Sequence, residues 1–141
     1  MKSFVSRIEI AAPPEALWSL LIDAPGYPRW NSTVARIEGE IVPGGKLKLF
    51  TTASPGRAFP LTVTLFDRPT RMVWSGGMPL GLFKGERTYD ITPLGGARTA
   101  FVMREVFSGL LASLITKSIP DLQPAFDAFA ADLKRAAERP I

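Results

Sequence analysis

Residues 108–139 read SGLLASLITKSIPDLQPAFDAFAADLKRAAER. Apolar side chains recur there at spacings of three and four, the repeat of an α-helix. Leu110, Leu111, Leu114, Ile115 and Ile119 begin the stripe, and Leu122, Phe126, Phe129, Leu133 and Ala137 continue it. The other side carries Lys117, Asp121, Asp127, Asp132, Lys134 and Arg135. The pattern predicts a long C-terminal helix from Ser108 to Arg139, continuous or broken once. Pro120 and Pro124 argue for the break, because each removes an amide donor and crowds the preceding turn. A kink near residues 117–124 is expected, and Ser118 and Asp121 have the spacing of a capping box for a fresh start. The segment before the break either fits the helix to its neighbours or acts as a lid.

Upstream of this helix nearly everything alternates. Residues 3–10 set Phe4, Ile8 and Ile10 on one face and Val5, Arg7 and Glu9 on the other, as a half-buried strand does. Pro13-Pro14-Glu15 opens a short helix whose apolar face is Leu17, Trp18, Leu21 and Ile22. The breaker-rich run Ala24-Pro25-Gly26-Tyr27-Pro28 stops it and leads to Trp30-Asn31, where Asn31 suits a turn cap. Six strands then follow. Residues 33–41 place Ala35, Ile37, Gly39 and Ile41 inward, and residues 46–53 place Leu47 and Leu49 inward. Residues 60–67 and 71–76 form a hairpin across Asp67–Thr70, and Gly76–Gly81 is a loose connection. Residues 82–92 and 97–107 make the last hairpin around Leu94-Gly95-Gly96. Gly44-Gly45, Gly76-Gly77 and Gly95-Gly96 read as hairpin glycines, since none sits between a strand and a helix as a phosphate loop would. Strand, helix, six strands and a long helix predict one α+β domain over residues 1–141. A curved antiparallel sheet of about seven strands wraps the C-terminal helix, with one or two short helices after the first strand.

Composition narrows the chemistry. The chain of 141 residues contains neither cysteine nor histidine, which removes disulfides, thiol nucleophiles, thiolate or imidazole metal sites and imidazole acid–base catalysis. Its carboxylates are not clustered at any metal-binding spacing, so no metal and no cofactor is expected. A net charge of +4 is spread over many elements without a reading motif, which argues against nucleic acid as partner. No run of about eighteen apolar residues occurs, so no membrane span is expected. MKSFVSRIEI reads as a strand rather than a signal peptide, which makes the cytoplasm the expected location.

The register of the last hairpin follows from burial. Tyr89 and Ile91 share odd parity with Phe101, Met103 and Phe107, so one continuous apolar face requires partners whose numbers sum to an even value, most simply Ile91 opposite Phe101 and Tyr89 opposite Met103. The same register sets Arg87 opposite Glu105 and puts a charged pair on the concave face. That pair either satisfies itself structurally or orients a polar group of a ligand, since pockets are apolar with a few placed polar groups. Trp30 and Trp74 are either core or cavity wall, and Tyr89 either donates its hydroxyl into a cavity or is a bonded core tyrosine.

The opening IEIAAPPEALWSLLIDAPGYPRWN, the strand RMVWSGG around Trp74, and GLFKGERTYDITPLGGARTAFVMREVFSGLL together resemble the helix-grip superfamily. That superfamily, also called SRPBCC or START-like, includes START domains, polyketide cyclase/dehydrase-like proteins and the birch-pollen allergen fold. The resemblance covers essentially the whole chain and lies with the polyketide cyclase/dehydrase-like branch. It implies a cavity between the curved sheet and the C-terminal helix, commonly used for a hydrophobic ligand. Members often carry histidine in the last two strands, where this chain has Arg87 and Met103, so histidine-based cyclase chemistry is not expected. The reading reached from sequence is binding or transport of a small hydrophobic molecule. The candidate ligand-binding residues are Trp30, Trp74, Arg87, Tyr89, Met103, Glu105, Phe107 and Leu114, and no catalytic residue is assigned. A polyketide cyclase/dehydratase-like enzyme and a partner-binding module are the competing classes. Homodimerisation is left open.

Overall fold

A computed structural model describes residues 2–117 and 121–139. In chain order the elements are β1 (Lys2–Ile10), α1 (Pro14–Leu21), a 3-10 turn (Ala24–Gly26) running into α2 (Tyr27–Trp30), β2 (Val34–Glu38), β3 (Lys46–Thr51), β4 (Ala58–Asp67), β5 (Arg71–Met78), β6 (Phe83–Gly95), β7 (Arg98–Ser108), α3 (Ala112–Thr116) and α4 (Gln123–Glu138). The strands form a seven-stranded antiparallel sheet in the order β1-β7-β6-β5-β4-β3-β2. Only β1 leaves the meander, and it pairs with β7. This is the helix-grip arrangement: a curled sheet whose concave face is covered by the C-terminal helix.

The C-terminal stretch departs from a single helix in an informative way. Ser108 is the last residue of β7, and the chain turns at Gly109, whose φ is +110°. A Cβ at Gly109 would lie 2.8 Å from the carbonyl oxygens of Gly81 and Leu82. Those two oxygens accept hydrogen bonds from the amides of Leu110 and Leu111, so the turn is stitched to the β5–β6 connection. Helix α3 then ends at Thr116 and α4 begins at Gln123, which interrupts the helix within the expected segment. Asp121 Oδ1 accepts the Gln123 amide at 3.0 Å, and Pro124 occupies the first turn of α4, where its missing donor is harmless. The expectations for Ser118, Ile119 and Pro120 lie outside the described residues.

The inward stripe of α4 is as the periodicity requires, with Phe126, Phe129, Ala130 and Leu133 buried. Leu110 and Leu114 belong to no such face, being 81% and 67% exposed. Asp132, placed by periodicity on the outer side, is buried, because its Oδ2 accepts both the amide and the hydroxyl of Ser32 at 2.8 and 2.7 Å. One flank of α4 runs along the edge strand β1. Gln123 Nε2 donates to the Val5 carbonyl at 2.7 Å and Lys134 Nζ to the Glu9 carbonyl at 3.1 Å. Asp127 accepts the Ser6 hydroxyl, and Glu138 accepts the Ala11 amide. Backbone groups at Val5 and Glu9 on this sheet edge, and at Ala11 just past its end, are thus covered by side chains at positions 123, 134 and 138.

Two strand expectations change. A bulge between Val34 and Arg36 turns Ala35 outward, so Val34 joins Ile37 in the core in its place. Gly76 and Gly77 lie inside β5 rather than in a connection, paired with Gly85 and Lys84. A Cβ at Gly76 would fall 2.5 Å from the Pro60 carbonyl oxygen, so the glycine there admits a close approach of β4. Gly44-Gly45 and Gly95-Gly96 remain turn glycines.

Candidate functional site

The concave face is organised in cross-strand rows. The hairpin register is the simplest that burial allows: Ile91 faces Phe101, Tyr89 faces Met103 and Arg87 faces Glu105. Extended over its neighbours, the charged row reads Val63, Trp74, Arg87, Glu105 and Phe4. The row beneath reads Met72, Tyr89, Met103 and Ser6, and the row above it Gly76, Gly85, Phe107 and Lys2. The charged pair therefore sits in the middle of an apolar surface.

Arg87 donates through Nε to Glu105 Oε1 at 2.9 Å, and the two side chains are 13% and 15% exposed. Phe126 of α4 closes over the pair, with the guanidinium carbon 5.2 Å from its ring centre. Burial alone would favour loss of the Arg87 charge. The Glu105 carboxylate and the adjacent Tyr89 outweigh it, so the net shift of the guanidinium pKa is upward.

Around the pair the aromatic side chains form one cluster. Trp74 meets Tyr89 edge-on at 5.1 Å, Tyr89 stacks on Phe129 at 5.8 Å, and Tyr27 lies 4.9 Å from Trp30 and 6.2 Å from Phe129. The middle of the grip is thus filled by rings. At the other end Phe107 stacks on Phe83 at 5.8 Å and meets Phe4 edge-on at 6.4 Å. Gly85 lies between these ends, and a Cβ there would touch the Phe107 ring at 3.3 Å and Glu105 Oε2 at 3.8 Å.

Several polar atoms in the cluster are uncommitted. The indole N–H groups of Trp30 and Trp74 and the hydroxyl of Tyr89 are buried without an aligned hydrogen-bond partner. Tyr89 lies close enough to Arg87 for the guanidinium to offset part of what burial does to its phenol. Tyr27, by contrast, donates its hydroxyl to the Leu21 carbonyl at 2.7 Å.

Of the eight candidate residues, Trp30, Trp74, Arg87, Tyr89, Met103, Glu105 and Phe107 are brought to this face or its aromatic cluster. Leu114 is not, because α3 leaves it 67% exposed. Sequence reasoning missed Tyr27, Phe126 and Phe129 as neighbours of the site. The last two stand on the apolar stripe, but no local signal says which row of the sheet a helix side chain will cover. Tyr27 sits in the breaker-rich turn, where nothing marks it as fully buried. Among the described residues no three His, Cys, Asp or Glu side chains come together as a metal site. No described helix is long and apolar enough to cross a membrane.

The chain contains only two tyrosines, Tyr27 and Tyr89, and both are fully buried. Burial raises both phenol pKa values, well above the ordinary value of 10.0 for Tyr27. A raised phenol pKa means that the unfolded chain releases its proton first. Stability from these groups is then complete below about pH 10 and falls as pH rises toward the folded values. Absorbance at 295 nm should therefore show no phenolate until the fold is lost, with both tyrosines appearing in one cooperative step. A tyrosine titrating near pH 10 in the folded protein would show that its hydroxyl is reached by solvent.

No curated protein matches the chain in sequence. Among solved structures, a hypothetical protein from Helicobacter pylori is 14% identical with a TM-score of 0.79, over 97% of this chain and 88% of that one. A START superfamily protein from Mycobacterium smegmatis is 17% identical with a TM-score of 0.70, over 96% and 97%. A truncated norcoclaurine synthase from Thalictrum flavum is 15% identical with a TM-score of 0.70, over 99% and 95%. At these identities the likeness is one of fold. The family model described as polyketide cyclase / dehydrase and lipid transport matches residues 1–138. The chain belongs to that polyketide cyclase/dehydrase and lipid transport family.

Proposed function

We propose that this protein binds a small, largely apolar molecule carrying one polar group, between the concave face of the sheet and α4. The observation that carries this reading is the Arg87–Glu105 pair, held at 2.9 Å in an apolar row with the buried Tyr89 hydroxyl beside the guanidinium. Apolar walls of Phe4, Met103, Phe107 and Phe126 supply contact area, and the few polar groups supply orientation. The residual exposure of the pair marks where the ligand's polar end would approach, and the apolar walls, packed on one another here, would part to admit its tail. Lipid transport in the family description agrees with such a ligand. A cyclase-type reaction would need a proton acceptor. Tyr89, with its raised pKa, stays protonated and does not supply that proton acceptor.

The test uses dodecanoate as a probe, followed by tryptophan fluorescence, after native mass spectrometry of the protein as purified. Dodecanoate should bind saturably. The Arg87→Met/Glu105→Met double variant should weaken it roughly tenfold to a hundredfold, the worth of a charge-assisted hydrogen bond. Unchanged affinity in that variant would remove the orienting role. A protein that neither carries a small molecule nor binds the probe would favour a partner-binding role for the outer surface.

A further inference from the structure

Two adjoining segments carry the most exposed apolar side chains of the described residues. One is the β5–β6 connection, with Met78 and Leu80, and the other is the turn into α3, with Leu110 and Leu114. The Leu110 amide donates to the Gly81 carbonyl at 3.1 Å and the Leu111 amide to the Leu82 carbonyl at 2.7 Å, which ties the two together. Leu80, Leu110 and Leu114 are 92%, 81% and 67% exposed, and no other large apolar side chain among the described residues is more than half exposed. A single exposed leucine is ordinary; three gathered at one end are not. Leu80 is the most telling. The Leu82 amide donates to the Pro79 carbonyl at 3.3 Å, closing a turn whose central residues, Leu80 and Gly81, have φ of +62° and +69°. Positive φ at both positions follows the type I′ pattern, whose first central residue is preferably asparagine, aspartate or glycine. A leucine there crowds its own backbone and also leaves its side chain in water. Turn chemistry and core packing both argue against leucine at position 80, so the turn serves to present that side chain.

The charges around the patch select what it meets. Residues 78–84 and 108–117 contain two lysines, Lys84 and Lys117, and neither aspartate nor glutamate. Lys2 lies at the same end, as the β1 partner of Phe107. The carboxylates nearest in sequence are committed: Glu86 to Lys84 at 3.1 Å, Glu105 to Arg87 at 2.9 Å, and Asp121 to the Gln123 amide at 3.0 Å. This end therefore keeps a net positive charge. Leucines projecting from turns and flanked by lysines match the boundary of an anionic bilayer. Acyl chains receive apolar tips without a preformed pocket, and the ammonium groups meet lipid phosphates. A stable protein partner would need a matching contour of roughly 800 Å² on each side, which a few side chains on two turns do not offer. Behind the tip, Phe83 stacks on Phe107, so the patch borders the end of the grip that Phe107 walls.

We propose that the β5–β6 turn and the start of α3 form a docking surface for an anionic membrane, with Leu80, Leu110 and Leu114 entering the acyl boundary and Lys2 and Lys117 facing the phosphates. The surface does not rest on a ligand in the grip, and its test uses none. The full chain is sedimented with vesicles of phosphatidylcholine and phosphatidylglycerol, and separately with phosphatidylcholine alone. The mixed vesicles should bind about tenfold more tightly, and sodium chloride should weaken that difference. Leu80→Asn removes the apolar tip while giving the turn a residue it prefers. That variant should lose vesicle binding about tenfold while its Tm stays level or rises. Leu94→Asn, at the far end of β6, should leave binding unchanged. Absence of binding to the mixed vesicles, equal losses in the two variants, or full binding by Leu80→Asn would overturn the docking surface. A dimer that Leu80→Asn dissociates, seen by analytical ultracentrifugation without vesicle binding, would also overturn it and give the patch to a second copy. A protein that takes up dodecanoate but ignores vesicles loses this surface alone, and one that sediments with vesicles but takes up no dodecanoate keeps it.

Discussion

Glu105→Met is expected to destabilise the protein by about 3 kcal/mol, because it leaves the Arg87 guanidinium in an apolar row with no anion to face. Glutamine at 105 should do less harm, since its carbonyl can still accept the Nε–H bond. The double change Arg87→Met/Glu105→Met should return stability to within about 1 kcal/mol of the parent, as a buried pair replaced by apolar groups of similar size generally does. Urea unfolding of the three variants measures this directly. If Glu105→Met lost less than about 1 kcal/mol, water would have to be serving the guanidinium through the pair's residual exposure of 13% and 15%. The pattern also separates two roles. A double variant that folds well but no longer orients a ligand would show that the pair exists for binding rather than for holding the sheet together.

Phe129→Ala should destabilise by about 3–5 kcal/mol. Phe129 is 1% exposed, and its ring is shared by Tyr27, Trp30 and Tyr89 at 6.2, 5.8 and 5.8 Å. Removing it opens a void among large rings that cannot collapse into it without leaving their rotamers. For a domain with a total stability of about 5–15 kcal/mol this is a severe loss, lowering the Tm by more than 10 °C on the order of a few degrees per kcal/mol. Leu114→Ala is the matched control. It stands on the same sequence stripe, yet at 67% exposure it should change stability by less than about 0.5 kcal/mol. Equal effects at 114 and 129 would mean that the Leu114 side chain packs inward after all.

These two positions show how far the sequence could be read. Leu114 and Phe129 are indistinguishable by periodicity, since both recur at helical spacing in one apolar stripe. Periodicity reports that a face is apolar, but not whether anything covers it. What separates them is long-range: the Gly109 turn, tied to the Gly81 and Leu82 carbonyls, sets α3 so that Ala112 is buried while Leu114 faces out, and α4 lies along β1 with Phe129 inward. Asp132 shows the converse. Its residue type placed it on the outside, and only a hydroxyl and an amide from Ser32, a hundred positions away, make its burial tolerable. The Arg87–Glu105 pairing was legible for the opposite reason, because strand side chains alternate with a period of two. A register slipped by one residue would have mixed the face carrying Tyr89, Met103 and Phe101 with the polar one, and the simplest register that avoids this is the one found.

The sequence by itself determined the element order, the antiparallel meander, the hairpin register with its charged pair, and the interruption of the C-terminal helix. These depend on local periodicity, proline and the parity of apolar positions, which are properties of neighbouring residues. Tertiary structure alone decided that Phe126 closes over Arg87, that the aromatic rings fill the middle of the grip, and that Leu114 faces out. Each of those is a meeting between residues far apart in the chain, set by the angle at which a helix crosses a curved sheet, and no local pattern encodes that angle.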